Sequence, residues 1–272
     1  MTLSRRDVAA LLDDHGLAPS RALGQNFVVD PNTVRRIARL ASVAPGDQVV
    51  EIGAGLGSLT LALAETGAAV TAVEVDRGIV PVLRTVAEPV GVRVIEADAM
   101  TVDWGALLGV GPWTLVANLP YNVATPLVVT LLEEVPAISR MLIMVQAEVG
   151  ERLAAEPGAE AFGAVSVIVS YWATAKVVGR VPPTVFLPKP KVDSALVMIT
   201  RRAAPGIDPA SVSYARLKEV VRTGFGQRRK MLRRSLAAVV DASAFEASDV
   251  RPEARAEELG LPEWGRLAAW KP

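Results

Sequence analysis

Cysteine is absent from the 272 residues, and histidine occurs once, at His15. Without cysteine there are no disulfides, no thiolate zinc sites, no iron–sulfur clusters and no cysteine nucleophile. A single histidine in the polar stretch Asp13-Asp14-His15-Gly16 leaves no Ser-His-Asp triad and no multi-histidine metal centre. His15 reads as a solvated loop or helix-end residue, and no metal site is expected. No uninterrupted apolar run reaches the ~18 residues of a membrane-spanning helix. The start, Met1-Thr2-Leu3-Ser4-Arg5-Arg6-Asp7, lacks the apolar core of a signal peptide. A soluble cytoplasmic protein is expected. What is present is ample for folding: 51% of residues are hydrophobic and 21% charged, the balance of an ordered globular chain. The length suits one large domain, or one domain with a small appendage.

Net charge is zero, but its parts are unevenly placed. Residues 44–160 carry five basic and fifteen acidic side chains, whereas residues 176–234 carry fourteen basic and three acidic. The stretch Gln227-Arg228-Arg229-Lys230-Met231-Leu232-Arg233-Arg234 packs five cations into eight residues. Solvated helix faces would account for some of this. A polyanionic partner accounts for it better, because clustered cations of one sign gain most by displacing counterions from phosphates.

Four short β-branched stretches, Gln48–Ile52, Ala69–Val75, Val92–Ile95 and Thr114–Ala117, alternate with segments of helical spacing. That alternation predicts an α/β doubly wound, mostly parallel sheet. Met141–Val145 reads as a fifth strand, and the continuously apolar Ala164–Trp172 as a helix. Lys176–Val181 and Ser194–Thr200 are predicted as an antiparallel pair at the sheet edge. Pro182, Pro183, Pro188 and Pro190 stiffen the loop between them. From about Pro205 the pattern is helical: Tyr214, Leu217, Val220, Val221 and Gly224 make one face, and Met231, Leu232, Leu236 and Val239 another. The predicted domains are therefore 1–203, catalytic, and 204–272, a small all-α basic domain.

The first predicted strand runs into Glu51-Ile52-Gly53-Ala54-Gly55-Leu56-Gly57 and then a helix. Glycines let the chain turn tightly and a ligand approach the backbone. A dinucleotide fingerprint would need glycine where Ser58 stands, and no G-x-x-x-x-G-K-[ST] is present. The spacing E-x-G-x-G-x-G resembles the first motif of class I S-adenosylmethionine (SAM) methyltransferases. Glu74, ending the second strand, is placed to bind a ribose diol, and Asp98, after the third, to accept from an adenine amino group. All three lie at the C-terminal ends of consecutive strands, where open α/β sheets bind ligands.

After the fourth strand comes Asn118-Leu119-Pro120-Tyr121. It is similar to the tetrapeptide of SAM enzymes that methylate exocyclic amines. The N6 lone pair of adenine is delocalised and a poor nucleophile. The Asn118 side-chain carbonyl and the Leu119 backbone carbonyl can accept both amino protons and aim the lone pair at the methyl. Pro120 fixes the turn and Tyr121 offers a stacking face. A base inside a helix must be extruded to reach such a pocket, at a cost of a few kcal/mol, and stacking returns ~1–3 kcal/mol. Phe186 is the candidate for a second stacking face. Its other reading, a core residue anchoring the proline loop, is the stronger one from its local sequence alone.

Gly24-Gln25-Asn26-Phe27, the glycine loop, Asn118-Leu119-Pro120-Tyr121, Phe186-x-Pro188-x-Pro190-Lys191-Val192-x-Ser194 and Arg228-Arg229-Lys230 with Leu232 occur in an order that resembles the ribosomal RNA adenine N6-dimethyltransferase family, over residues ~21–240. The resemblance implies SAM as cofactor, held by Asn26, the Val28 backbone, Gly53, Gly55, Glu74, Asp98 and Asn118. It implies Asn118, Leu119, Pro120, Tyr121 and Phe186 at the target base. Lys189, Lys191, Arg228, Arg229, Lys230, Arg233 and Arg234 become the expected phosphate contacts. Within the family the chain is most similar to the small-subunit branch. That branch dimethylates two adjacent adenosines in the 3′-terminal hairpin loop of 16S rRNA during small-subunit biogenesis, which makes the precursor subunit the expected partner of a monomeric enzyme. Ala54 stands where proline is common, with no consequence expected. Alternatives are the large-subunit (23S) methyltransferase of the macrolide-resistance type and an assembly factor whose binding outweighs its catalysis. DNA adenine methylation lacks a target-recognition insertion. Protein glutamine methylation gives no reason for the cationic segment.

Overall fold

A computed structural model describes residues 2–120 and 123–270. Among them are nine strands: β1 (Phe27–Val28), β2 (Gln48–Ile52), β3 (Ala69–Glu74), β4 (Arg93–Glu96), β5 (Trp113–Asn118), β6 (Ile138–Gln146), β7 (Ala173–Val181), β8 (Phe186–Leu187) and β9 (Ser194–Arg201). Seven form one sheet in the order β4-β3-β2-β5-β6-β9-β7. The pairs β2–β3, β3–β4, β2–β5 and β5–β6 are parallel, and β9 runs antiparallel to β6. The chain winds outward from β2 to β4, then returns to the other side of β2 with β5. The crevice beyond the C-terminal ends of β2 and β5 is therefore the switch point where open α/β sheets hold ligands. Register makes this concrete: Ile52 pairs with Val73 on one side and Ala117 on the other, and Glu74 pairs with Glu96. The loops after four strands thus start side by side.

The predicted strands and the helix Ala164–Trp172 are present, with bounds moved by a few residues at most. Sequence reading did not include the helix Arg5–Asp14 or the small β1–β8 sheet. The first forms because Ser4 and Asp7 close a reciprocal capping box and Val8 and Leu12, one turn apart, are buried. Helix Pro31–Ala41 shows the local logic most fully. Asp30 caps it by accepting from the Thr33 N–H at 2.9 Å, Pro31 starts it, and Val34, Ile37, Ala38 and Ala41 make its buried stripe.

The chain divides into two compact units. The first is Met1–Gly150 with Lys176–Thr200; the second is Glu151–Ala175 with Arg201–Pro272. This differs from a cut at residue 203 in giving 151–175 to the second unit. The physical reason is packing: Phe162, Val167 and Tyr171 share a hydrophobic core with Leu217, Val220, Val221 and Trp264. Trp264 is fully buried. A Cβ at Gly224 would lie 2.5 Å from Trp264 Cη2, so glycine is what lets the indole lie against helix Tyr214–Gly226. The tail therefore completes the second core. Among the described residues no helix is long and apolar enough to cross a membrane.

Candidate active site

A cavity of about 230 Å³ opens at the switch point. Its walls come from the loops after β2, β3, β4 and β5 and from the segment that leads into β1. Asn26, Val28, Gly53, Gly55, Glu74, Asp98, Asn118, Leu119 and Pro120 all line it. The structure thus gathers the expected cofactor residues, 92 positions apart in sequence between Asn26 and Asn118, around one space. Tyr121 lies outside the described residues.

The glycine loop has a geometric reason at three positions. Gly53, Gly55 and Gly57 have φ of 71°, 55° and 93°, in the left-handed region that side chains rarely adopt. A Cβ at Gly55 would also stand 3.0 Å from the Phe27 ring. The loop is tied to the next strand by Glu74, which is 5% exposed. One of its carboxylate oxygens accepts from the Gly55 N–H at 2.7 Å, and the other from the N–H groups of Val75 and Asp76, both at 2.9 Å. Burial raises the Glu74 pKa, and the three backbone donors work against that rise.

Glu51 is a functional candidate that motif reading passed over. It is 2% exposed and lines the cavity from the end of β2. Burial pushes its carboxyl up to about 8, against the lowering effect of the neighbouring Thr60 hydroxyl, and the nearby Glu74 charge adds to the rise. Its Oε2 and the hydroxyl of Ser58, which also lines the cavity, are buried without a hydrogen-bond partner among the described residues. Orphaned acceptors at a cavity wall suit a ligand that brings N–H donors. SAM, with its ammonium group, meets that condition, and the carboxylates of Glu74 and Asp98 line the same cavity. One Asp98 oxygen already accepts from the Met100 N–H at 2.8 Å and fixes the turn after β4. The acidic residue opening the loop motif was the signal for Glu51, but its burial is visible only in three dimensions.

At the far side Asn118 ends β5. Its Nδ2 donates to the Asn26 carbonyl at 2.9 Å. That bond sets the amide orientation and leaves Oδ1 to act as an acceptor. The Leu119 N–H donates to the Met144 carbonyl at 3.0 Å, which fixes the peptide on which its own carbonyl stands. The Pro120 carbonyl accepts from Val123 and Ala124 and opens helix Ala124–Glu134. Two acceptors on a rigid turn can bind the two hydrogens of an exocyclic amine.

Phe186 stands apart from the cavity lining. It is 0% exposed, sits in the same core as Val28, Val181 and Leu196, and is not part of the cavity wall. β8 pairs with β1 so that Phe186 stands opposite Val28, and this pairing turns the ring inward. In this structure the ring takes the core-anchor position. Lys189 and Lys191 are exposed beyond it.

The cationic run in the second unit is divided. Arg228 is engaged with Glu257 at 2.6 Å and with the Glu160 carbonyl, and Arg233 with Glu253 at 3.1 Å. These two join elements of their own unit. Arg229, Lys230 and Arg234 are exposed with no ion pair recorded among the described residues. No group of metal-ligating side chains occurs among them either.

Residues 19–271 match the family described as ribosomal RNA adenine dimethylase. The chain is 45% identical over 280 residues to the ribosomal RNA small subunit methyltransferase A of Kineococcus radiotolerans, covering 99% of this chain and 92% of that one. It is also 45% identical to the protein of the same name from Thermobifida fusca, over 99% and 96% of the two chains. Among solved structures it is similar to the 23S rRNA methyltransferase ErmE, with a TM-score of 0.71 and 27% identity over 89% of this chain and 98% of that one. A dimethyladenosine transferase from Plasmodium falciparum, at 22% identity and TM-score 0.73 over 88% and 94%, shares the fold.

Proposed function

This chain belongs to the ribosomal RNA adenine dimethylase family and is a SAM-dependent rRNA adenine dimethyltransferase, and we propose that its target is small-subunit rRNA, at two adjacent adenosines of the 3′-terminal hairpin loop of 16S rRNA. The small-subunit target is supported by the higher identity to relatives named for it, 45% against 27% for the 23S enzyme. The chemistry rests on one observation: the Asn118 amide is pinned through Nδ2, so Oδ1 is left to receive an amino proton.

When bound, SAM supplies an activated methyl on a sulfonium centre. Asn26, Val28, Gly53, Gly55, Glu74 and Asp98 would hold it, with Glu51 and Ser58 receiving its ammonium. Asn118 Oδ1 and the Leu119 carbonyl accept the two N6 hydrogens and hold the lone pair toward the methyl. Alignment of this kind is the main contribution of the protein. Asn118 is uncharged and acts as an orienting acceptor, not as a base. Tyr121 takes the stacking role, and Phe186 supports the β1–β8 wall from behind. Arg229, Lys230 and Arg234, with Lys189 and Lys191, bind phosphates, whereas Arg228 and Arg233 chiefly brace their own unit. The enzyme acts as a cytoplasmic monomer on the precursor subunit.

The test is methyl transfer from labelled SAM to unmethylated small subunits and, in parallel, to large-subunit RNA, with the product nucleoside identified by mass. Dimethyladenosine confined to the small subunit is expected, and Asn118→Ala should lower its rate at least ~100-fold, on the scale of removing one aligned acceptor. Label in large-subunit RNA would move the enzyme to the resistance branch. Small-subunit maturation that survives Asn118→Ala would favour the assembly-factor reading.

A further inference from the structure

One wall of the cofactor cavity is made by residues 22–28, which precede and include β1. Its β1 end is held by main-chain pairing: Phe27 lies opposite Leu187, Val28 opposite Phe186, and the Val29 N–H donates to the Val185 carbonyl at 2.8 Å. Its other end is a tight turn. The Gln25 N–H donates to the Ser20 carbonyl, and the Gly24 N–H to the Arg21 carbonyl, both at 3.1 Å. These bonds shape the turn but do not tie it to the sheet.

The Gln25 side chain makes that tie. Its Nε2 donates to Asp76 Oδ2 at 2.7 Å, while its Oε1 accepts from the Ser20 N–H, also at 2.7 Å. One amide group thus closes the turn with its oxygen and anchors it with its nitrogen. The acceptor is itself immobilised. Asp76 Oδ1 accepts from the Gly78 N–H, its N–H donates to Glu74, and its carbonyl accepts from Ile79 and Val80. The next residue after Gln25 is Asn26, whose carbonyl holds the Asn118 amide.

We propose that Gln25 and Asp76 form a latch that holds this wall closed and, through the Asn26 carbonyl, positions the Asn118 amide for methyl transfer. Both are positioning residues, and the proposal rests on the reading of Asn118 as the acceptor for the target amine. Opening the latch frees Asn118 to rotate about its side-chain bonds and loosens the wall around the cofactor, without disturbing any strand of the main sheet. It therefore governs alignment and cofactor retention together.

The bond is polar in one direction, which gives a test that mere structural damage would not pass. Gln25→Glu keeps the acceptor for Ser20 but sets a carboxylate against Asp76. Its kcat at saturating SAM should fall about 10- to 100-fold, the scale of losing one charge-assisted hydrogen bond, and its KM for SAM should rise. Adding Asp76→Asn reverses the bond: the new amide donates to the carboxylate introduced at position 25, while its oxygen still accepts from Gly78. The double variant should recover most of the lost kcat, at unchanged net charge relative to the parent. Normal kcat for Gln25→Glu in a protein that Asn118→Ala inactivates would overturn the latch. So would an impaired single variant that the second substitution fails to rescue. Full activity of Asn118→Ala would instead sink the reading on which the latch depends.

Discussion

Replacing Glu51 by glutamine should make the empty protein more stable at pH 8 and leave it nearly unchanged at about pH 4. Glutamine has nearly the shape of protonated glutamate and does not titrate. In the folded chain burial pushes Glu51 from the ordinary 4.5 to about 8. Below 4.5 both folded and unfolded chains carry the proton, and the group adds no pH dependence. Between 4.5 and 8 the unfolded chain releases it and the folded chain keeps it. The folded state then binds more protons, so stability falls as pH rises, by about 1.4 kcal/mol per pH unit at most. Across that window the loss sums to roughly 5 kcal/mol as an upper figure, and well above pH 8 it is constant. Glu74 shifts in the same direction, but it does so in both proteins and cancels in the comparison. Amide hydrogen exchange across β2 and β5 reads the stability of the first unit without assuming that both units unfold together. At pH 8 the protection of these amides in Glu51→Gln should exceed that of the parent by one to three powers of ten. At about pH 4 the two should nearly coincide. Parallel pH profiles would refute the argument, because they would mean that Glu51 ionises in the fold at little cost. The same variant should bind SAM more weakly, since its neutral amide cannot pair with an ammonium as a carboxylate does.

Two further outcomes follow from burial and pairing. Phe186→Ala should cost about 3–5 kcal/mol of stability in the first unit, as for other buried aromatics truncated in a core. Thermal unfolding would check this, and a variant of normal stability that has lost only its rate would restore the stacking face. Charge removal at Arg229, Lys230 or Arg234 should weaken RNA binding about equally across sequences and lower the salt slope of log K by about one per residue. Arg228→Ala and Arg233→Ala should move that slope less and the stability of the second unit more, because each is held by a glutamate of that unit. Equal slopes for all five would reject the division.

The sequence by itself determined the elements and the chemistry of the loops between them. Short β-branched runs bounded by turn residues favour strands through the stiffness of their own side chains, as at Gln48–Ile52 and Ala69–Glu74. Glycines at 53, 55 and 57 are needed for the backbone angles they adopt, and Pro120 restricts the chain after Asn118 and Leu119. Local cause leaves a local mark, so the sheet, the cofactor loop and the acceptor of the target amine were legible. Tertiary structure alone decided what depends on partners far along the chain. Phe186 is a core residue because β8 pairs with β1, about 160 residues earlier. That pair is two residues long, too short to show a period. Residues 151–175 joined the second unit because its helices supplied an apolar face that no composition shift announces. Arg228 and Arg229 look alike in sequence, and only the position of Glu257 separates a brace from an exposed cation. Glu51 became a buried acid and Gln25 a tether for the same reason. The energy of a charge or an amide is set by what surrounds it, and those surroundings exist only once the chain has folded.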